Sequence, residues 1–106
     1  MDIAAAEGDA VRACWGGRVV FAGVKGGYGK VVEVEHPGGW MSVYGHLRNY
    51  SVQEGDSVAT GGKIAEVGST GRATGPHLHF ELRRGEATVD PEVLLAEAGL
   101  FHRNQP

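Results

Sequence analysis

Two histidines separated by a single residue carry the strongest chemical signal in this sequence. Residues 75–82 read Gly-Pro-His-Leu-His-Phe-Glu-Leu, so polar and apolar side chains alternate as they do along a β-strand with one buried face. His77 and His79 therefore lie on one face of the predicted strand, and Gly75-Pro76 marks where it begins. Imidazoles at positions i and i+2 are close enough to serve one bound ion or one substrate. The pattern favours a functional site over a structural pair.

Two further residues could complete a site with these histidines. His46 ends the segment Ser-Val-Tyr-Gly-His, whose glycine lets the backbone approach another group closely. The local pattern alone favours a functional and a structural role for His46 equally. Glu81 shares the strand face of the two histidines, so it could orient one imidazole as a hydrogen-bond acceptor. Its other interpretation is a solvated strand carboxylate.

The remaining candidates have weaker patterns. His36 precedes Pro-Gly and is predicted to be a hairpin residue, and His102 is predicted to be solvated in a polar tail. Residues 26–29 read Gly-Gly-Tyr-Gly, but no Lys-Ser/Thr pair or helix pattern follows, so a turn is favoured over a phosphate-binding loop. Cys14 is predicted to be a small buried apolar residue. As the single cysteine, it excludes an internal disulfide and a cysteine-based zinc finger.

The composition predicts one small domain rich in β-structure. A chain of 106 residues can bury one modest core, and 18 glycines with 8% aromatic residues are typical of short strands joined by tight turns. The formal net charge of −3 argues against a nucleic-acid-binding surface. We find no apolar run long enough for a transmembrane segment and no recognisable signal peptide.

Turn signals divide the chain into short segments. Strands are predicted over residues 10–14, 18–22, 30–36 and 40–46, the last two forming a hairpin. Glu-Gly-Asp-Ala-Val at residues 7–11 recurs as Glu-Gly-Asp-Ser-Val at 54–58, which suggests a sandwich or barrel of two similar halves. After Pro91, apolar residues at 94, 95, 98 and 101 predict a short C-terminal helix. We therefore predict an all-β single domain over residues 1–106, with its core at 1–91 and the helix and tail at 92–106.

Six motifs in a fixed order give the chain a family resemblance. They are Gly-Arg-Val-Val-Phe-Ala-Gly at 17–23, Gly-Tyr-Gly at 27–29, Tyr-Gly-His-Leu at 44–47, Gly-Ser-Thr-Gly at 68–71, Gly-Pro-His-Leu-His-Phe-Glu at 75–81 and Val-Asp-Pro at 89–91. In combination they resemble the M23 family of zinc metallopeptidases, the lysostaphin- and LytM-type peptidoglycan endopeptidases. The resemblance runs from residue 1 to about residue 95. It implies an antiparallel β-sheet core of the duplicated-hybrid-motif type.

The resemblance also implies a zinc site and assigns its residues. The family's ligands are the histidine and aspartate of His-x-x-x-Asp and the second histidine of His-x-His. Asp2 and His79 match the last two ligands, and the family's two non-ligand catalytic histidines map onto His46 and His77. The first ligand would lie four residues before Asp2, upstream of Met1, and is absent from the sequence. We expect N-terminal truncation rather than degeneration, and weak zinc binding by the two remaining ligands.

The implied function is hydrolysis of peptide bonds in peptidoglycan stem or cross-bridge peptides, in the periplasm or the extracellular cell envelope. The alternative is a degenerate LytM-type domain that binds the cell wall or activates a division amidase. Sugar phosphotransferase domains of related architecture use paired histidines as phosphoryl carriers, but Asp2 and the Gly-Pro-His-Leu-His-Phe string argue against that activity. Lipoyl and biotinyl carriers share the Glu-Gly-Asp turn, yet no lysine occupies the required hairpin tip.

Overall fold

The chain folds around one antiparallel β-sheet. The computed structural model describes residues 2–71, 73, 75–85 and 87–89, which form nine strands and two 3₁₀ turns. The strands are β1 (Asp2–Ala4), β2 (Ala10–Arg12), β3 (Gly17–Lys25), β4 (Gly29–His36), β5 (Trp40–Tyr50), β6 (Ser57–Val58), β7 (Lys63–Val67), β8 (His77–Arg84) and β9 (Ala87–Val89). The turns are Gly26–Tyr28 and Pro37–Gly39. The predicted all-β fold is confirmed. The predicted C-terminal helix and tail, including His102, lie outside the described residues.

The strand order brings distant parts of the sequence together. Along the sheet the order is β1-β8-β5-β4-β3-β6, while β7 pairs with both β5 and β2, and β9 pairs with β8. In the β1–β8 ladder Asp2 lies opposite His79, and in the β5–β8 ladder Gly45 lies opposite the same histidine. Residues that face each other across antiparallel strands project from the same side of the sheet. The two ladders therefore place Asp2 and the His46 segment on either side of β8.

One face of the sheet forms the core. Its buried members include Val19, Val32, Val34, Tyr44, Leu47, Ile64 and Phe80. The rings of Tyr44 and Phe80 are cross-strand partners whose centroids lie 5.4 Å apart. Burying a side chain such as Leu47 contributes about 1.5–3 kcal/mol, so this face fixes the orientation of each strand. Because Phe80 and Leu82 of β8 are buried in it, the alternate residues of β8 are directed to the other face.

The internal echo corresponds to two copies of one turn. In the first, the Asp9 carboxylate accepts the backbone N–H of Ala6 at 3.0 Å, and the chain then enters β2. In the second, the Asp56 carboxylate accepts the N–H of Gln53 at 2.9 Å, and the chain then enters β6. A carboxylate that binds a backbone N–H three residues earlier closes a tight loop at low cost. The repeated sequence thus encodes the same local structure twice.

Candidate metal and catalytic site

β8 carries the two histidines of the His-x-His motif into a groove on the non-core face. Asp2, delivered by β1, lies against both of them. Its Oδ1 is 2.9 Å from Nδ1 of His79 and 3.5 Å from Nε2 of His77. The Asp2 side chain is 64% exposed, whereas those of His77 and His79 are 20% and 24% exposed. The structure thus brings both predicted metal ligands and one predicted catalytic histidine together at a partly open position.

His79 lies between two carboxylates. Its Nδ1 faces Asp2 as described, and its Nε2 is 2.7 Å from Oε2 of Glu81. Two protonation patterns satisfy this arrangement. In the first, a doubly protonated ring donates to both carboxylates. In the second, a neutral ring donates from Nε2 to Glu81, and its Nδ1 lone pair and the Asp2 carboxylate are available to bind the same cation. The second pattern is the carboxylate–histidine–metal arrangement that commonly orients metal-binding imidazoles. The acceptor role considered for Glu81 from the sequence matches this geometry.

Glu81 is itself held by two neighbours. Arg83 donates to Oε1 from both Nε and Nη2, at 2.9 and 2.7 Å, and the hydroxyl of Tyr28 donates to Oε2 at 2.7 Å. Arg83 Nη2 also donates to the Tyr28 hydroxyl at 2.8 Å, which closes the network. Partial burial disfavours the Glu81 anion, but hydrogen bonds from His79, Tyr28 and Arg83 together outweigh it and hold the Glu81 pKa at about 2. Glu81 is therefore a fixed anionic acceptor for His79.

Asp2 has a different environment. The hydrogen bond from His79 lowers the pKa of Asp2 below its ordinary value, against a smaller opposing effect of desolvation. The residue belongs to a three-residue strand at the edge of β8, and most of its side chain is in contact with solvent. Asp2 is consequently an anionic oxygen donor that remains accessible from the groove.

His46 reaches the same groove from β5. The backbone of His46 has φ = +59°, a left-handed conformation that residues with a Cβ rarely adopt. Its Nδ1 lies 2.7 Å from the carbonyl oxygen of Thr70. Because a carbonyl oxygen can only accept, Nδ1 carries the proton, and in the neutral ring the lone pair is on Nε2. The His46 ring is 4.9 Å from that of His77 and 5.6 Å from that of His79, centroid to centroid. The two predicted catalytic histidines are therefore neighbours.

His77 has a matching hydrogen bond. Its Nδ1 lies 2.9 Å from the carbonyl oxygen of Gly75, so Nδ1 donates and Nε2 faces Asp2. The groove next to these rings has a volume of about 240 Å³ and is lined by Gly27, Tyr28, His46, His79 and Glu81. Polar side chains from the Gly26–Tyr28 turn, β5 and β8 thus converge on one open groove.

The described residues provide only part of the ligand set that a metal site needs. Within the described residues, no group of three or more His, Cys, Asp and Glu side chains is arranged to hold a metal ion. Asp2 Oδ1 and His79 Nδ1 converge as two donors of the kinds that zinc accepts, and Glu81 provides the orienting acceptor. They fit one side of a zinc site, whereas a catalytic zinc normally takes three protein ligands.

His36 belongs to a separate buried network. Its Nδ1 lies 2.9 Å from the carbonyl oxygen of Gly16 and its Nε2 lies 2.7 Å from the hydroxyl of Ser42. The indole of Trp15 stacks on the imidazole at 4.6 Å with 6° between the planes. Burial lowers the pKa of His36, and its hydrogen bond with Gly16 opposes this shift. These contacts give His36 a structural role at the end of the β4–β5 hairpin.

Cys14 lies at the far end of this network and differs from its predicted setting. It follows β2 rather than lying in a strand, and it is half-buried against the core. Its Sγ is 3.3 Å from the Tyr44 hydroxyl, which also bonds to Ser42 at 2.8 Å. Tyr44 is buried, and this desolvation raises the pKa of its phenol. The thiol therefore packs against the core, as predicted, and in addition ends a chain of hydrogen bonds through Tyr44 and Ser42.

Three residues of the site were not assigned a role from the sequence. Tyr28, Thr70 and Arg83 hold Glu81 or His46, but their contacts join segments far apart in the chain. Strand periodicity could have identified Arg83, because it lies two residues after Glu81 and therefore on the same strand face. Tyr28 and Thr70 lie in glycine-rich motifs that mark turns, and turns alone do not indicate which groups they approach.

The chain is a β-sheet domain in which histidines and carboxylates lie together beside one groove. Comparison with known proteins identifies its family. The model of peptidase family M23 matches residues 1–91. This chain belongs to peptidase family M23. Among solved structures, the catalytic domain of lysostaphin from Staphylococcus simulans is similar, with a TM-score of 0.86 and 34% sequence identity; the match covers 90% of this chain and 76% of that one.

Curated relatives include an enzyme and an activator. The chain is 47% identical over 91 residues to the DD-carboxypeptidase/endopeptidase Mpg of Neisseria meningitidis serogroup B, covering 86% of this chain and 21% of that protein. It is 46% identical over 95 residues to the murein hydrolase activator EnvC of Escherichia coli, covering 90% of this chain and 23% of that protein. The chain thus spans less than a quarter of the length of either relative. In the described residues, no helix has the length and apolarity that a membrane crossing requires.

Proposed function

We propose that this domain is a zinc-dependent endopeptidase that hydrolyses peptide bonds in the stem or cross-bridge peptides of peptidoglycan. The observation that carries the proposal is the convergence of His46, His77, His79 and Asp2 beside one open groove. Membership of family M23 supports the reaction class. The proposed location is the periplasm or the extracellular side of the cell envelope, where this substrate occurs.

Asp2 and His79 are the residues of this chain proposed to bind the metal. Their donor atoms are 2.9 Å apart, and Glu81 holds the far nitrogen of the imidazole, so the Nδ1 lone pair is directed toward Asp2. The third ligand is proposed to be a histidine four positions before Asp2 in the full-length gene product. When bound there, zinc supplies a water of lowered pKa and a Lewis acid for the scissile carbonyl.

His46 and His77 are proposed to handle the protons. Each donates its Nδ1 proton to a backbone carbonyl, so each ring presents Nε2 for exchange with a water or a substrate. A neutral imidazole Nε2 can accept the proton of the attacking water, and a protonated one can donate to the oxyanion of the tetrahedral intermediate. Two rings 4.9 Å apart can divide these roles over one turnover.

The peptidase proposal is tested with the full-length gene product and dye-labelled peptidoglycan. We expect dye release that is abolished by a chelator and restored by added zinc, because the catalytic water depends on a bound metal. Zinc content is measured on the same samples. A protein that binds zinc one-to-one and releases no dye from any wall type tested would contradict the proposal.

A second candidate function is activation of a cell-wall amidase by a domain without peptidase activity. Two observations favour it: the described residues hold only two convergent metal donors, and the relatives include a murein hydrolase activator. The discriminating assay adds the domain to a purified peptidoglycan amidase. An activator increases amidase turnover, and the variant His79→Ala retains that effect. A peptidase releases peptide fragments without the amidase and loses this activity in the same variant.

A further inference from the structure

Thr70 connects three segments that are distant in sequence. Its hydroxyl donates to the carbonyl oxygen of Leu47 at 2.6 Å and accepts the backbone N–H of Lys30 at 3.1 Å. Its own carbonyl oxygen accepts the Nδ1 proton of His46 at 2.7 Å. One residue of the loop before β8 therefore binds the start of β4, the backbone that follows His46 in β5, and the His46 ring itself.

The backbone around Thr70 is fixed by a close contact between two glycines. A Cβ on Gly29 would lie 2.4 Å from the nitrogen of Gly71, and a Cβ on Gly71 would lie 2.5 Å from the nitrogen of Gly29. Both residues also have positive φ, +67° and +76°. Side chains are excluded at both positions, so the two loops pack backbone against backbone. This contact leaves little freedom for the Thr70 carbonyl to move away from His46.

His46 needs such support because its own backbone is unfavourable. Among the described residues it is the one non-glycine with positive φ. A side-chain-bearing residue keeps this conformation only where its surroundings determine it. Thr70 supplies two such constraints, one on the carbonyl of the next residue, Leu47, and one on the imidazole.

We propose that Thr70 is a positioning residue that fixes His46 in the Nδ1-protonated tautomer, with the Nε2 lone pair directed to the groove. The hydroxyl holds the loop in place, and the carbonyl selects the tautomer. The catalytic meaning of this arrangement rests on the proposed peptidase function. The tautomer and position of the His46 ring can be tested without turnover.

The direct test is ¹⁵N NMR of the histidine side chains at about pH 8.5, which is about two units above the ordinary pKa of an imidazole. The His46 signals are identified by their loss in His46→Gln. Thr70→Val keeps the branched shape but removes the hydroxyl, and Thr70→Ser keeps the hydroxyl. Thr60→Val is the matched control, because Thr60 Oγ1 accepts the N–H of Gly16 at 2.8 Å in another part of the chain.

We expect the native protein and Thr70→Ser to show distinct protonated Nδ1 and unprotonated Nε2 shifts for His46. In Thr70→Val the two shifts should move toward each other as the tautomers exchange, and Thr60→Val should match the native spectrum. Gly71→Ala provides a second route, since its Cβ separates the loops while the hydroxyl stays. Unchanged His46 shifts in a folded Thr70→Val or Gly71→Ala would overturn the proposal.

Kinetics on the full-length gene product then separate positioning from binding. Thr70→Val should lower kcat about 10-fold or more with KM changed less than twofold, and Thr70→Ser should recover most of the loss. A drop in Thr70→Ser equal to that in Thr70→Val would contradict the role of the hydroxyl. If no variant and no native sample cleaves peptidoglycan, the peptidase function fails, while the NMR shifts still decide the proposal about Thr70.

Discussion

At the scale of single residues, the two carboxylates beside His79 are held very differently. Glu81 is bound by Tyr28 and Arg83 and is largely buried, so it stays in one position and one charge state. Asp2 is mostly exposed and belongs to a short edge strand. The Nε2 side of the His79 ring is therefore fixed, whereas its Nδ1 faces the exposed carboxylate of Asp2. This asymmetry is what a metal-binding histidine needs.

Removing the Glu81 carboxylate should weaken metal binding. In the full-length gene product we expect Glu81→Ala to reduce zinc affinity about 10–100-fold, because His79 loses the acceptor that orients it. Glu81→Gln retains an acceptor oxygen and should lose less. Competition with a chromophoric chelator measures the affinities. Glu35→Ala, on an exposed position of β4, is the matched carboxylate control, and equal effects of the two alanine variants would refute this role for Glu81.

His36 should make stability depend on pH. Burial lowers its pKa in the folded chain below the ordinary value of 6.5, so the folded chain takes up this proton less readily than the unfolded chain. The resulting stability is fully present above about pH 6.5 and is lost as the pH falls from there toward the folded-state pKa, by up to about 1.4 kcal/mol per pH unit. His36→Gln removes this titration while leaving a polar side chain.

Urea denaturation at pH 7.5 and 5.5 measures the effect. The groups that face His36 are the Gly16 carbonyl, the Ser42 hydroxyl and the Trp15 ring, and none of them titrates in this range. We expect the native protein to lose more stability than His36→Gln between the two pH values, by at most about 1.4 kcal/mol. Parallel losses in the two proteins would show that His36 is not the titrating group.

At the scale of elements, β1 decides whether Asp2 reaches the groove. The strand has three residues and pairs with one end of β8. Its apolar residue Ile3 lies opposite Leu78 and packs against the core, while Asp2 and Ala4 point to the groove side. Ile3 is thus the main side-chain anchor for the strand that carries a proposed metal ligand.

Shortening the Ile3 side chain should destabilise β1. Ile3→Ala removes methyl groups that are partly buried against the core. We expect the local free energy of unfolding of β1 to fall by about 1–2 kcal/mol. Amide hydrogen exchange at β1 should then accelerate roughly 10-fold, since 1.4 kcal/mol is a factor of ten in an opening equilibrium. Val24→Ala is the control, because Val24 is 70% exposed and should change little. Unchanged exchange in Ile3→Ala would mean that the backbone ladder alone holds the strand.

Local sequence patterns predicted the secondary-structure elements better than they predicted which strands pair with each other. Alternation over residues 75–82 identified the strand observed as His77–Arg84, and the glycine-rich residues 26–29 were correctly expected to turn. The pairing of β1 with β8 joins residues 77 positions apart, Asp2 and His79, and no local pattern contains it. It depended on the resemblance to family M23. Strand β9 was not predicted, because its short sequence has no alternation to recognise.

At the scale of the whole molecule, the sequence predicted the histidines and carboxylates beside the groove but not the network that holds them. His77, His79 and Glu81 follow from strand periodicity, since every second residue shares a face. The contacts of Thr70 with His46 and of Tyr28 with Glu81 require the folded arrangement of loops far apart in the chain. Side chains that act directly leave a local pattern, whereas those that position them are defined by tertiary contacts.

We propose that Asp2 and His79 bind the metal while His46 and His77 perform proton transfer. This proposal is tested most directly by measuring zinc content and dye release from labelled peptidoglycan on the same samples of the full-length gene product and its variants. We expect His79→Ala to lose zinc and activity together. His46→Ala and His77→Ala should retain zinc while activity falls by roughly 10²-fold or more. Zinc and activity that both survive in His79→Ala, or zinc that is lost in His46→Ala and His77→Ala, would contradict this division of roles.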